Sequence, residues 1–229
     1  MKNPCVVGYR GQIGRFVLDG LLQYMPKANQ ILCFDVNETE EECIDRIEKS
    51  DFIFLCIPFL ETAEWLKKYE VHLLDKIIVE QCSLKNEIYK KFKHLKFIGM
   101  HFLFRPEGTP PDDRRCVLIK ETMAPGVSEH WVHFYNLLDK IWKCRIILLS
   151  KDDHDSFMAF EQALVHRVVL NLARMIEFTD ATTYIGGEII KLANRIKSGD
   201  KELYKAMQKN PLTNIVLKDF KDQLREFKI

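Results

Sequence analysis

The chain has 229 residues, of which 47% are hydrophobic and 29% charged, and its formal net charge is +1. These values are typical of a globular protein with one large domain or two small ones. The near-neutral charge excludes a global field that recruits nucleic acid or an anionic membrane, and no apolar stretch reaches the roughly 18 residues of a membrane span.

The cysteines indicate a reducing compartment. Seven are present, none forms a C-x-x-C pair, and several lie in apolar runs such as "ILCF" and "FIFLCIP". Buried free thiols are typical of a cytoplasmic protein. The first residues, "MKNPCVVG", lead directly into a strand-like run without a signal-peptide pattern. We therefore expect a cytoplasmic protein without membrane or nucleic-acid partners.

Strand-like and helix-like segments alternate through the first two-thirds of the chain. Short apolar runs predict strands over 5–9, 30–36, 51–58, 76–82, 96–102, 116–120 and 144–149. Amphipathic patterns predict helices over 11–24, 39–50, 61–70, 84–95, 126–143, 153–178, 186–196, 201–208 and 214–227. Alternation predicts an α/β fold: a Rossmann-like doubly wound sheet domain over 1–150, followed by an all-helical domain over 151–229.

The stretch "VVGYRGQIGRF" predicts a dinucleotide site. Gly8, Gly11 and Gly14 follow a strand and open a helix, although the usual G-x-G-x-x-G spacing has become G-x-x-G-x-x-G. Asp35 ends the second strand about 20 residues further on, where an acid binds ribose hydroxyls and repels a 2′-phosphate. This pattern favours NAD over NADP. The alternative is that the glycines serve packing alone, and Arg10 either contacts the pyrophosphate or is solvated.

Two strand ends carry candidate catalytic residues. "EQCSLK" places Ser83 and Lys85 after the fourth strand, and "FIGMHF" places His101 at the end of the fifth. The carboxyl ends of parallel strands face the ligand crevice in doubly wound sheets, and a histidine there suits a general base. Alternatively, Ser83 is a helix N-cap and His101 is structural.

The helical region adds candidates for substrate binding. Gln162 and His166 are four residues apart and share a helix face. Arg195, on a later helix, suits a carboxylate through two parallel hydrogen bonds, although exposed helix arginines are common. Residues 153–155, Asp-His-Asp, raise the possibility of a metal, but acidic residues at a helix start are favoured for capping. We predict no metal site.

Several motifs together resemble the prephenate dehydrogenase family of tyrosine biosynthesis. They are "VVGYRGQIGRF", "DFIFLCIP", "SLKNEIY", "FIGMHFLFRPEG", "HDSFMAFEQALVH" and "NRIKSGDKELYKAM", in the family's order and at similar intervals. The resemblance implies an NAD(P)-binding domain, a helical domain that forms a homodimer, and a small-molecule substrate, prephenate or arogenate. It implies oxidative decarboxylation of prephenate to 4-hydroxyphenylpyruvate, with NAD accepting hydride.

The resemblance also implies roles for individual residues. His101 matches the family's catalytic histidine, and Ser83 matches the serine near the substrate hydroxyl and the nicotinamide. Substrate binding is assigned to Lys85, Gln162, His166 and Arg195. Cofactor binding is assigned to Gly8, Tyr9, Arg10, Gly11, Gln12, Ile13, Gly14, Asp35 and Pro58.

The chain departs from the family pattern at several positions. Phe102 follows the histidine where the family usually has proline, Glu80 replaces a common aspartate, and Gly187 stands where some relatives carry arginine. The helical domain is also shorter than in many members. These departures leave two alternatives open: an arogenate dehydrogenase, and a dinucleotide-binding sensor with impaired catalysis.

Overall fold

The protein is described by a computed structural model that covers residues 2–26, 31–123, 127, 130–176, 182–198, 201–208 and 210–226. The chain divides into two compact units, Met1–His154 and Asp155–Ile229. The sequence pattern draws the corresponding boundary near residue 150. Parts of the predicted elements, namely residues 30, 126, 128, 129, 177, 178 and 227, lie outside the described residues.

The first unit is built on a seven-stranded sheet in the order β2-β1-β3-β4-β5-β6-β7. The strands are β1 (Pro4–Val7), β2 (Leu32–Phe34), β3 (Phe52–Leu55), β4 (Ile77–Glu80), β5 (Lys96–Phe102), β6 (Arg115–Ile119) and β7 (Arg145–Leu149). β1 pairs in parallel with both β2 and β3. The strand order therefore reverses at β1, and ligands bind beyond the carboxyl ends of the strands at such a point.

Helices follow most strands of this unit. They are α1 (Gln12–Tyr24), α2 (Glu40–Glu48), α3 (Phe59–Lys68), α4 (Asn86–Lys91) and α5 (Trp131–Asn136), with a π-helical turn over Leu137–Ile141 and 3₁₀ turns over Glu70–His72, Pro111–Asp113 and Lys120–Thr122. α2 begins with a capping box in which Thr39 and Glu42 satisfy each other's backbone N–H groups. The prediction of a Rossmann-like α/β fold is confirmed.

Both faces of the sheet are covered. Val6, Phe54 and Val79 belong to one buried cluster, which also includes residues of α1 and α5. Cys5 and Ile53, one residue earlier in their strands, belong to a second cluster with residues of α2 and α3. Successive strand side chains point to opposite faces, so these short strands are apolar along almost their whole length.

The pairing of β6 differs from the all-parallel pattern expected of continuous apolar strands. β6 runs antiparallel to β5, with His101 opposite Val117. The connection between them carries only the 3₁₀ turn at Pro111–Asp113 and no crossover helix, and a parallel neighbour requires a crossover of a dozen or more residues. β7 again pairs in parallel with β6 after the α5 region.

The second unit is helical. Its elements are the end of α6 (Lys151–Met158), a π-helical segment over Ala159–Leu164, α7 (Val165–Met175), α8 (Tyr184–Lys197), α9 (Lys201–Gln208) and α10 (Thr213–Glu226). The single helix predicted over 153–178 is thus interrupted by a π-helical segment, a feature frequent at functional sites. Among the described helices, none combines the length and apolar character required to cross a bilayer.

Candidate active site

The glycine loop joins β1 to α1 at the carboxyl edge of the sheet. Gly8 has φ +77°, and a Cβ atom there would lie 2.6 Å from the carbonyl oxygen of Cys56. A Cβ on Gly14 would collide with the Gly8 carbonyl oxygen, so both positions require glycine. At Gly11 the nearest atom to a Cβ is 3.4 Å away, an ordinary contact. Gly11 therefore has no internal steric need for glycine, and its missing side chain leaves space at the exposed start of α1.

Asp35 holds this loop in place. Its Oδ2 accepts a hydrogen bond from the backbone N–H of Arg10 at 3.0 Å, and its Oδ1 accepts one from Val36 N at 2.9 Å. The Arg10 side chain is exposed, and its Nε donates to the hydroxyl of Tyr9 at 3.1 Å. The arginine therefore lies on the tyrosine at the surface of the loop.

A cavity of about 310 Å³ opens beside Gly8 and Asp35. Val7 and Phe34 form part of its wall, and Phe34 stacks with Trp65 at a centroid distance of 6.0 Å. Its acidic and basic lining residues are Asp35, Glu38, Glu61, Glu64 and Lys68. Four of these carry carboxylates against one ammonium, so the cavity is predominantly acidic.

The other residues assigned to the cofactor surround the same loop. Gln12 begins α1 and its Nε2 donates to Glu107 Oε2 at 3.1 Å. Ile13 is half-buried against the core, whereas Pro58 is exposed and caps the start of α3. Pro58 comes two residues after Cys56, whose carbonyl oxygen, just past the end of β3, lies close to Gly8.

Ser83 and His101 meet at the ends of β4 and β5. Their Oγ and Nε2 atoms lie 3.3 Å apart, and both residues are buried. The other ring nitrogen of His101, Nδ1, lies 3.0 Å from Nε2 of His154. Both nitrogens of His101 therefore have a hydrogen-bonding partner within the first unit.

The surroundings of His101 favour its neutral form. Burial lowers the pKa of the imidazole well below its usual value, and the charges of His154 and Lys85 lower it further. A neutral imidazole can accept a proton at whichever nitrogen lacks one. The site therefore contains a base that stays unprotonated around neutral pH.

Lys85 is fully buried and does not line an open surface. Its ammonium donates to Glu80 Oε1 at 2.7 Å and to the carbonyl oxygen of Met100 at 2.8 Å. Glu80 also accepts hydrogen bonds from the Tyr89 hydroxyl and the Cys82 backbone N–H. Lys85 thereby links Glu80 at the end of β4 to Met100, the residue before His101. These hydrogen bonds hold the backbone next to His101 in place.

Phe102 points away from His101. Its ring packs at 5.4 Å from Phe16 and 5.3 Å from both Phe104 and Trp142. Successive residues of a strand face opposite sides. Phe102, which stands where the family usually has proline, therefore packs into an aromatic cluster of the core. The departure from the family pattern leaves the side of the strand that carries His101 unchanged.

The second unit brings together several polar side chains around its π-helical segment. Gln162 lies within that segment and His166 one turn later, stacked on Tyr204 of α9 at a centroid distance of 6.1 Å. Gln208 Nε2 donates to the carbonyl oxygen of Ala163 at 3.0 Å. Three buried polar atoms here have no protein partner: Gln162 Oε1, His166 Nδ1 and Gln208 Oε1. Buried polar atoms are normally satisfied, so this group points to a ligand.

Arg195 lies on α8 with its side chain exposed. The nearby Gly187, where some relatives carry arginine, has no atom within 4 Å of an added Cβ. Within the described residues, no group of three His, Cys, Asp or Glu side chains is arranged to hold a metal ion.

Comparison with solved structures finds this fold in known dehydrogenases. Prephenate dehydrogenase from Aquifex aeolicus has a TM-score of 0.75 at 18% identity, over 99% of this chain and 90% of that chain. The same enzyme in complex with hydroxyphenyl propionate and NAD⁺ has a TM-score of 0.70 at 18% identity, over 99% and 89%. Synechocystis arogenate dehydrogenase has a TM-score of 0.67 at 22% identity, over 99% and 90%.

The chain has the fold of prephenate and arogenate dehydrogenases. The structural resemblance that the motifs predict is thus confirmed. No protein-family model matches the chain, and no curated protein sequence matches it.

Sequence reasoning missed the contacts that several residues make at these sites, although it named Glu80 as a departure from the family pattern and His154 within a possible metal motif. His154 contacts His101, Glu80 pairs with Lys85, and Tyr204 and Gln208 lie beside His166. Only the position of Glu80 at the carboxyl end of β4 offered a signal. His154 is 53 residues from its partner, and no spacing rule connects them.

Proposed function

We propose that this chain is a nicotinamide-dependent dehydrogenase that converts prephenate to 4-hydroxyphenylpyruvate, carbon dioxide and reduced cofactor. The observation that carries the proposal is the buried, neutral His101 beside Ser83, at the same sheet edge as the glycine loop. The similarity of fold to prephenate and arogenate dehydrogenases supports it. The alternative substrate is arogenate, which carries an amine in place of the keto group.

In this reaction, Nε2 of His101 accepts the proton of the ring hydroxyl. Bound NAD⁺ would supply the acceptor for the hydride that leaves the same ring carbon. The carbon–carboxylate bond then breaks, and its electron pair makes the ring aromatic as carbon dioxide leaves. His101 returns the proton to the phenolate oxygen, so the base is regenerated. Ser83 orients the hydroxyl through its Oγ.

The glycine loop fits a dinucleotide. Gly11 has space where a side chain would stand, and the N–H groups of the first turn of α1 suit a pyrophosphate. The acidic cavity beside Asp35 disfavours a 2′-phosphate. We therefore propose NAD as the preferred cofactor over NADP, with Tyr9, Arg10, Gln12, Ile13 and Pro58 bordering it.

The second unit supplies groups for the substrate in this proposal. The exposed guanidinium of Arg195 suits a substrate carboxylate, and the unsatisfied atoms of Gln162 and His166 suit its polar groups. Lys85 contributes through its contact with the end of β5, because its ammonium is fully buried.

We also propose a homodimer formed through the helical unit. Large apolar side chains on its helices are well exposed, including Met175 and Tyr184, each 81% exposed, and Ile185, 72% exposed. Exposed apolar patches on soluble proteins mark interaction sites. Light scattering coupled to size exclusion tests this: a mass of one chain at micromolar concentration contradicts it.

Steady-state assays test the activity. Prephenate and arogenate are each combined with NAD⁺ and NADP⁺, and NADH or NADPH formation is followed by absorbance. We expect the prephenate–NAD⁺ pair to have the highest kcat/KM, and His101→Asn to lower kcat by roughly 10²–10⁴ with little change in KM. Absence of reduced cofactor in all four combinations refutes the dehydrogenase.

Calorimetry distinguishes the enzyme from an impaired sensor. A sensor binds NAD⁺ but gains no affinity from prephenate, whereas the enzyme binds the two together.

Arg195→Gln should mainly raise KM, because it removes a charge-assisted contact worth about 1.5–3 kcal/mol. An unchanged KM removes Arg195 from the substrate site.

A further inference from the structure

His154 lies directly behind His101 and is fully buried. Its Nε2 is 3.0 Å from Nδ1 of His101, and the two ring centroids are 5.2 Å apart at an interplanar angle of 67°. His101 thus presents one nitrogen to Ser83 and the other to a second imidazole. The roles assigned above to His101 and Ser83 leave His154 without a function.

The first turn of α6 holds His154 in this position. The Ser150 hydroxyl accepts from the backbone N–H of Asp153 at 3.0 Å and donates to its carboxylate at 2.7 Å. Lys151 N donates to the Glu121 carboxylate at 3.0 Å. Asn86 Nδ2 donates to Asp152 Oδ1 at 2.9 Å. The local Ser150–Asp153 contact and contacts from two other segments, at Glu121 and Asn86, therefore fix the turn that carries the imidazole.

A hydrogen bond between two neutral imidazoles requires one donor and one acceptor. If Nε2 of His101 is to accept the substrate proton, its own proton must be on Nδ1. The only orientation of the pair compatible with this has His101 donating and His154 accepting. A carboxylate in the same place would stabilise the protonated base, whereas an imidazole holds the tautomer without adding negative charge.

We propose that His154 is a positioning residue for His101: it accepts the Nδ1–H of His101 and so selects the tautomer whose Nε2, beside the Ser83 hydroxyl, carries no proton and acts as the base. This inference rests on the proposed function for the direction of the hydrogen bond and for its kinetic consequence, but the tautomer can be measured without any activity. No proton leaves the pair in this role, since the Nδ1–H bond stays intact while Nε2 gains and returns the substrate proton.

Long-range ¹H–¹⁵N correlation spectra of the full chain test the tautomer directly. The signals of His101 are assigned by their loss in His101→Asn. Near pH 7.5 we expect the pattern of an Nδ1-protonated neutral imidazole. A wild-type His101 protonated at Nε2 overturns the proposal without the need for any variant at position 154.

Two variants at position 154 separate hydrogen bonding from packing. His154→Gln retains an acceptor oxygen and should keep the Nδ1–H tautomer. His154→Leu removes the acceptor and should shift His101 toward the Nε2–H tautomer. His94→Gln, at an exposed histidine paired with Glu70, is the matched control and should leave the His101 signals in place. An unchanged tautomer in a folded His154→Leu also overturns the proposal.

Kinetics then test the consequence for catalysis. His154→Leu should lower kcat by roughly 10- to 100-fold, part of the 10²–10⁴ contributed by a positioned general base, with KM nearly constant. His154→Gln should have a kcat close to that of the wild type. A full kcat in His154→Leu overturns the positioning role. If wild type shows no dehydrogenase activity but has the Nδ1–H tautomer, the proposed function fails while the hydrogen bond stands.

A pH profile of kcat adds a further readout. The acidic limb should move between wild type and His154→Leu, because the immediate surroundings of His101 change. The other titratable or charged groups that act on the pair include Lys85, with its partner Glu80, and Cys116, while Asp152 and Asp153 lie on the same helix as His154. These groups are the same in wild type and His154→Leu, so identical profiles contradict the role.

Discussion

Replacement of Lys85 by methionine tests the buried ion pair that supports the base. The change removes an ammonium that donates to Glu80 Oε1 at 2.7 Å and to the Met100 carbonyl oxygen at 2.8 Å. Glu80 keeps its hydrogen bonds from Tyr89 and from the backbone of Cys82, but its charge loses the counter-ion in a place without solvent exposure. Breaking a buried pair from one side costs about 3–5 kcal/mol, whereas replacing both partners is often neutral.

We therefore expect Lys85→Met to lower the free energy of unfolding by about 3–5 kcal/mol, and Glu80→Gln combined with Lys85→Met to recover most of it. Urea unfolding followed by tryptophan fluorescence measures the loss in the first unit, because all three tryptophans lie there. Lys90→Met, at an exposed position of α4, is the control and should change stability by less than about 0.5 kcal/mol. A loss in Lys85→Met no larger than this control would refute the reasoning.

Three further predictions concern the loop and the base. Gly14→Ala should destabilise the first unit through the clash with the Gly8 carbonyl, whereas Gly11→Ala should leave urea unfolding nearly unchanged and weaken NAD⁺ binding in calorimetry; equal stability of the two variants contradicts this. Asp35→Ser should raise the ratio of NADP⁺ to NAD⁺ affinity, and a constant ratio removes Asp35 from cofactor selection. Because burial lowers the pKa of His101, the unfolded chain binds more protons below about pH 6.5, so stability should fall as pH falls. His101→Gln should flatten that slope in unfolding curves at several pH values, and an unaltered slope argues against a depressed pKa.

Much of the fold could be predicted because the strands between the two edge strands are largely buried on both faces and the longer helices have one apolar side. The predicted strand over 96–102 coincides with β5, and the helix over 11–24 differs from α1 by one residue at its start. The antiparallel pairing of β6 could not be predicted from these patterns. An apolar strand has the same sequence character in either direction, and its direction depends on the connection, here one without a crossover helix.

Only those residues of the candidate site that lie at the ends of strands could be predicted from the sequence. Ser83 follows β4 and His101 lies near the end of the neighbouring parallel strand β5, and the carboxyl ends of such strands meet at one edge, so their proximity follows from topology. His154 and Glu80 act through side-chain hydrogen bonds whose geometry depends on rotamers and on the entry of α6. The burial of Lys85 could not be predicted either, because its position after a strand indicates an open crevice rather than a buried ion pair.

The depressed pKa of His101 is compatible with the proposed chemistry, although a weaker base usually catalyses proton transfer less well. An alcohol proton is far too weakly acidic for a neutral imidazole while the carbon still holds its hydrogen. As hydride departs, the oxygen acquires the character of a protonated carbonyl, which is strongly acidic, so the transfer becomes favourable late in the step. What the reaction then requires is a base that is always unprotonated and fixed in orientation. Burial, the Lys85 ammonium and the contacts to Ser83 and His154 supply those two properties.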